Sequence, residues 1–543
     1  MVFARRSTTL LAAIIASCAM VLSLTACTSD NKTVVDGQTT VTSNSAGGVA
    51  VFTPSDGITL NQQTPLNKWA KLVPDLAKAL ADAGFKKGDI DHTTSDSLAK
   101  QSRAIQDFVV DHLSNNTTDD SGIAIAPDNM TLLVAPVVEA DASTRQYGDY
   151  ISQNLSTNDA TDEGATSDGE SSEDDSSKDD SSNTESDSTA SDEQAQAVDR
   201  LVSSLKLAKE SGMHVVLLGN SIEGYKPDAF VKFSDAQTIG KLQAEKMVSK
   251  LKLDKASKDN PKYIEVLLPY TAVDEKGNAN DSTFAQEAFR GIWQVLGSYY
   301  QKGVVESPSG TLDGKSTEND WQAVAYDAAK EGSTAKVLDK RLAKTDGQST
   351  LTRIDGIITM NDYIASEVVK ELDDLGYTGS AADINPQITI SGIVGNITGK
   401  KDLSRDAVPD PIKSPENDNA NDSSSSDDDA DKDTSASDKD RDSQWPLVTG
   451  YGAYVSNIPS IVNGKQWMTG MEDRQTIATD IAQACAKLNK DEALNSMPSI
   501  RNSEVGGVKK IPTISEPLLA VSASNLKSAL IDPGYISLAD AGL

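Results

Sequence analysis

The chain is poor in the residue types on which most catalytic and covalent chemistry depends. It has three histidines, three cysteines and 5% aromatic residues in 543 positions. The histidines, His92, His112 and His214, accompany no Gly-x-Ser-x-Gly elbow, no phosphate-cradling glycine loop and no metal-spaced cluster. Catalytic residues, metal and cofactor are therefore all expected to be absent, and the chain is not read as an enzyme. The run Asp429 to Asp433 with Asp440 loosely echoes a calcium loop, but it lacks the sixth-position glycine and twelfth-position glutamate such a loop needs. Cysteine is equally limiting. Outside the N-terminal region only Cys485 remains, so no intramolecular disulfide is available and the fold must stand on its core. Cys485 lies in a helical pattern, Asp480 to Leu488, and reads as packing. Basic residues are outnumbered 50 to 81, which leaves no basic face and excludes nucleic acid as a partner.

The formal charge of −31 is unevenly spread. Residues 161–193 carry net −12 and residues 416–442 net −8, together −20 of the total. Both stretches are rich in Ser and Asp and low in apolar residues, so they are expected to stay disordered and solvated, as inserts at about 155–196 and 412–444. At the N-terminus, Arg5 and Arg6 precede an apolar run from Leu10 to Leu24, shorter than the roughly twenty residues of a membrane span and typical of an export signal. The run ends in Leu24-Thr25-Ala26-Cys27, which looks like the lipobox of bacterial lipoproteins. That resemblance implies cleavage after residue 26, lipid on Cys27, and a place on the outer face of the cytoplasmic membrane, held by acyl chains. Residues 27–47 then read as a flexible tether.

The remainder alternates between two patterns. Strands are expected at Gly48–Thr53, Leu132–Val137, His214–Leu218, Tyr263–Leu268 and Gly356–Met360. Helices are expected at Asn67–Gly84, Ser97–Leu113, Ala197–Ser211, Gln237–Leu251, Phe284–Tyr300, Asp320–Glu331 and Tyr363–Leu375. Strands alternating with helices predict an α/β fold in two lobes, each a parallel sheet with helices on both faces. A cleft between two such lobes is a common place for a small ligand.

Several segments carry a more specific likeness. Asn67-Lys68-Trp69-Ala70, Phe233 to Ala244, Met360-Asn361-Asp362 to Ala365, Val448-Thr449-Gly450, Asn463 to Gln466, and the tail from Ile511 to Tyr535 occur in the order found in periplasmic sugar-binding proteins of ABC importers. The chain resembles their xylose-binding and multiple-sugar-binding branch. This implies the type I periplasmic binding protein fold, with the lobes joined by a hinge. Lobe 1 is expected at 48–232 plus 448–482 and lobe 2 at 233–447 plus 483–543. The implied role is capture of a small solute, a carbohydrate, by a monomeric lipid-anchored protein that delivers it to the importer's permease. An alternative of the same fold is a sensor or surface binding protein no longer tied to transport, with a rewritten or lost sugar site.

The binding positions are where the chain departs from that family. Where the family carries Tyr-Asp-Arg, this sequence has Leu218-Gly219-Asn220; its Thr-Gly-Gln-Asp reads Thr449-Gly450-Tyr451-Gly452, and a family lysine is Glu472. Asn361 matches a sugar-contacting asparagine, and Lys68 stands at the family's arginine. Trp321 and Tyr451 are candidate stacking platforms. Asn220 and Asp235 complete the expected ligand-binding set, with helix capping the competing role for Asp235. Replacing Asn361 with alanine is expected to weaken binding and leave stability nearly unchanged.

Overall fold

The computed structural model describes residues 32–35, 38–41, 46–55, 65–115, 125–138, 144–157, 184–273, 280–343, 351–381 and 445–543. The signal sequence, Cys27 and the acidic insert at 412–444 lie outside them. The chain divides into two units, Met1–Asn44 and Ser45–Leu543. Within the first, Lys32–Val35 and Gln38–Val41 pair antiparallel, so part of the expected tether is a short β-pair.

The second unit is built on two main sheets. Gly48–Pro54, Met130–Val134 and His214–Leu218 lie side by side in a seven-stranded sheet, in the order Ile500–Val505, Val508–Ile514, Ala229–Val231, His214–Leu218, Met130–Val134, Gly48–Pro54, Ile90–Ser95. All neighbours are parallel except the hairpin Ile500–Val505 with Val508–Ile514. The central strands are mostly apolar and almost wholly buried because both faces are covered. Val49 and Val51 face a core shared with helices Trp69–Asp82 and Arg474–Leu488. Ala50 and Phe52 face the opposite core, under Leu98–Asn115 and Thr184–Glu210. The last helix starts thirteen residues before the expected Ala197, inside the segment read as disordered.

The other sheet is parallel throughout, in the order Val305–Glu306, Lys262–Val266, Gly356–Ile358, Leu447–Thr449. Helices Ala236–Leu251 and Thr283–Gln301 cover one face, and Ser333–Arg341 with Asp362–Asp374 cover the other. The first two touch at glycines. A Cβ on Gly240 would lie 2.2 Å from the Ala288 carbonyl oxygen, and one on Gly291 would lie 2.0 Å from that of Gln237. Only glycine allows this approach.

Three sequence expectations need correction. Asp320–Glu331 is not one helix. Trp321–Val324 makes a single turn, then Ala325–Tyr326 pairs in parallel with Leu268–Pro269. The strand Ile90–Ser95 was not expected, because as an edge strand its Ile-Asp-His-Thr-Thr-Ser sequence is mostly polar and exposed. Two C-terminal strands lie in the other lobe from the one expected. Leu447–Thr449 pairs with Gly356–Ile358 in the lobe 2 sheet and Val508–Ile514 joins the lobe 1 sheet, while helix Arg474–Leu488 packs whole in the lobe 1 core, although the expected boundary cut it at residue 482. Between them Met468–Met471 pairs antiparallel with Leu519–Ser522. The chain thus passes between the sheets after Val231, again beyond Met471, and a third time after Ile514.

Candidate functional site

The C-terminal ends of parallel strands, where open α/β sheets place their ligands, bring most of the expected residues together. Lys68 is the N-cap residue of helix Trp69–Asp82. Asn220 follows the strand His214–Leu218, and Asn361 follows Gly356–Ile358 by way of Met360, whose φ of 67° puts a buried non-glycine residue in the left-handed region. That conformation costs about 1–2 kcal/mol and fixes the direction in which Asn361 leaves the sheet.

Among the described residues, all three face the chain's own segment Thr144–Leu155, which follows the strand Met130–Val134. Asp149 accepts from Lys68 Nζ at 2.7 Å and from the Trp69 amide at 3.1 Å. The Asp149 amide donates to the Asn67 carbonyl at 2.8 Å, and the Tyr150 hydroxyl donates to the Lys68 carbonyl at 2.6 Å. Gly148 makes this contact possible: at φ +101° a Cβ would lie 2.5 Å from the Asn67 carbonyl oxygen. Asn220 accepts from the Gln153 amide and donates to the Pro136 carbonyl, both at 2.9 Å. A short parallel pairing of Asn154–Leu155 with Ser221–Ile222 closes this end.

The same segment reaches lobe 2. Asn361 Nδ2 donates to Gln146 Oε1 at 3.1 Å, and the Tyr454 hydroxyl donates to the Gln146 carbonyl at 2.7 Å. Tyr147 inserts its ring 4.6 Å from that of Phe284 and 6.2 Å from that of Tyr451. Its hydroxyl is buried near Asn361 without a hydrogen bond of standard geometry, and burial pushes its pKa well above the ordinary phenol range. Sequence reasoning did not find Gln146, Tyr147, Asp149 or Gln153. The available signal was two tyrosines flanking Gly-Asp beside an otherwise polar insert, in a chain with only 13 tyrosines.

The other expected residues have different surroundings. Asn361 Oδ1 caps helix Asp362–Asp374 by accepting from the Ile364 amide at 2.9 Å. Its removal would therefore be expected to cost stability as well as any ligand contact. Asp235 caps helix Ala236–Leu251, accepting from the Thr238 amide at 2.7 Å and pairing with Lys232 at 2.9 Å. Burial opposes its ionisation, but the bonds from Thr238 and Lys232 outweigh that and hold its carboxyl below the usual range. Tyr451 is buried in the hinge rather than presented to a cleft, its hydroxyl 2.7 Å from Ser234 Oγ. Trp321 stands edge-on to Tyr270 at 5.1 Å in a separate half-open cavity of about 290 Å³ that also takes in Thr271, Gln322, Tyr326 and Asp327.

The hinge holds two buried acids. Glu472 accepts from the Ser234 amide at 2.7 Å and from its hydroxyl, and burial pushes its carboxyl up to about 7. Asp362, bonded by Gln466 at 2.7 Å and Thr469 at 2.9 Å, is pushed by burial up to about 6. Among the described residues no group of histidines, cysteines and acids is arranged to hold a metal ion, and no helix is long and apolar enough to cross a membrane.

No family model and no curated protein matches the chain. Solved structures do. The chain is similar to an ABC transporter solute-binding protein from Clostridium phytofermentans with bound β-D-glucose, at 17% identity over 91% of this chain and 99% of that one, with a TM-score of 0.43. A carbohydrate transporter solute-binding protein from Chloroflexus aurantiacus in complex with D-glucose matches at 18% identity over 92% and 98%, TM-score 0.41. A periplasmic ribose ABC transporter protein from Conexibacter woesei matches at 13% identity over 90% and 96%, TM-score 0.42.

Proposed function

We propose that the chain is an exported, lipid-anchored solute-binding protein that takes a small hydroxylated solute, a carbohydrate or a close relative, between two lobes and hands it to an ABC importer. The observation that carries this reading is the convergence of Lys68 and Asn220 from one lobe with Asn361 from the other upon a single polar segment, Thr144–Leu155. Planar amides and a cation at strand ends suit hydroxyls, which both donate and accept. Capture from both sides couples occupancy to lobe closure, because only the closed form makes both sets of contacts. Lipid on Cys27, residence outside the cytoplasmic membrane, and the permease as partner belong to the same proposal and rest on the Leu24-Thr25-Ala26-Cys27 run and the resemblance to importer proteins.

A second reading has an observation of its own. The segment already satisfies every one of those polar groups, as it would in a surface protein that keeps the fold and has lost its sugar site. Thermal unfolding of the full chain with saturating sugars separates the two readings. A raised melting temperature supports solute binding, and an unchanged one across the panel supports the surface protein.

A further inference from the structure

The segment Thr144–Leu155 holds the two lobes together by the kinds of contact that a bound solute would make. Toward lobe 1 it offers a carboxylate, Asp149, to Lys68 and the Trp69 amide. Toward lobe 2 it offers the side-chain oxygen of Gln146 to Asn361 and the main-chain carbonyl of Gln146 to the Tyr454 hydroxyl. Between them Tyr147 sets an aromatic ring against Phe284. The occupant is imperfect. Among the described residues the Tyr147 hydroxyl is buried near Asn361 without a hydrogen bond of standard geometry, an unfavourable burial for a polar group, and the Lys68–Asp149 pair retains partial solvent access, at 16% and 20% side-chain exposure. A solute that satisfies the same groups without that penalty is placed to displace it.

The groups left behind then specify the solute. With Asp149 gone, Lys68 becomes a largely buried cation at the start of a fourteen-residue helix, next to the free Trp69 amide. A buried cation without a partner is costly, and a carboxylate accepts from an ammonium and a helix N-terminal amide more strongly than a hydroxyl does. A neutral sugar leaves Lys68 uncompensated, whereas an acidic sugar restores what Asp149 supplied.

Resting on the solute-binding reading, we propose that Thr144–Leu155 is an internal stand-in for the solute, and that the solute is a hydroxylated acid, such as a uronic acid, whose carboxylate takes the place of Asp149 on Lys68. Titration calorimetry of the full chain with D-glucuronate and D-glucose tests this on the parent, Asp149→Asn and Lys68→Gln. Asp149→Asn keeps the shape of the segment and removes its charge, so it should bind D-glucuronate at least tenfold more tightly than the parent does and at least tenfold more tightly than it binds D-glucose. Lys68→Gln should lose that preference. Gln146→Ala, which cuts the bond to Asn361, provides a second way to loosen the segment should Asp149→Asn not fold. Equal affinity of Asp149→Asn for both probes overturns the acidic class and leaves solute binding standing. Equal affinity of the parent and both loosened variants for D-glucuronate overturns the stand-in. Should neither probe bind any variant, a neutral sugar that raises the parent's melting temperature would confine the failure to this inference; no sugar doing so would bring down the solute-binding reading as well.

Discussion

Glu472 gives the hinge a pH dependence that can be worked through from its surroundings. The side chain is buried where three chain segments meet, bonded by Ser234, and burial raises its carboxyl from the ordinary 4.5 to about 7. Below the lower value the folded and unfolded chains both hold the proton, and the full stabilising contribution is present. As pH rises through the window between the two values, the unfolded chain releases its proton while the folded chain keeps it, so stability falls. Above about 7 both forms are ionised and the loss is complete. Each pH unit in that window corresponds to about 1.4 kcal/mol, so the whole of it amounts to roughly 3 kcal/mol. Glu472→Gln keeps an acceptor for Ser234 and cannot ionise. Urea unfolding at pH 4.5, 6 and 8 should therefore show that the parent loses up to about 3 kcal/mol more than the variant on going from the lowest to the highest pH. Asp362, raised by burial to about 6, adds a loss of the same sign in both proteins and cancels in the comparison. Parallel pH profiles for the two proteins would refute the argument.

Asn361→Ala removes a helix N-cap as well as the Gln146 bond, so its urea midpoint should fall by the equivalent of about 1 kcal/mol; an unchanged midpoint would show that the cap contributes nothing. Cys27→Ser should release the protein from membranes or leave an uncleaved precursor, whereas mass spectrometry of native material finding an unmodified N-terminus elsewhere would contradict lipidation.

The parts of this molecule legible in its sequence are those governed by local pattern. Val49-Ala50-Val51-Phe52 and Val215-Val216-Leu217-Leu218 are uninterrupted apolar runs, which a strand shows when both its faces are buried, and they stand where expected. The helices covering them announce themselves by apolar periodicity, and Ala236–Leu251 on the other sheet by its cap, Asp235. Ile90–Ser95 escaped because an edge strand needs apolar residues on neither of its solvent-facing positions. The destination of Leu447–Thr449 and Val508–Ile514 escaped because their local patterns are the same in either lobe; only pairing with Gly356–Ile358 and with Ala229–Val231 decides. Of the candidate site, the sequence marks Lys68, Asn220 and Asn361 but not the segment that each of them bonds, which lies as much as 215 residues away, as for Gln146 and Asn361. No local rule marks a polar loop as the partner of strand ends so distant in sequence.

The central claim, that the space between the lobes is a solute site, is tested most directly by the melting temperature of the full chain across a panel of neutral and acidic monosaccharides and disaccharides. A ligand that binds only the folded state at a hundred times its dissociation constant adds about 2.7 kcal/mol of stability, a rise of a few degrees for a protein of this size. Such a rise is expected with at least one sugar, as is its loss when Lys68 and Asn361 are both replaced. A melting temperature unmoved by every member of the panel would contradict the claim.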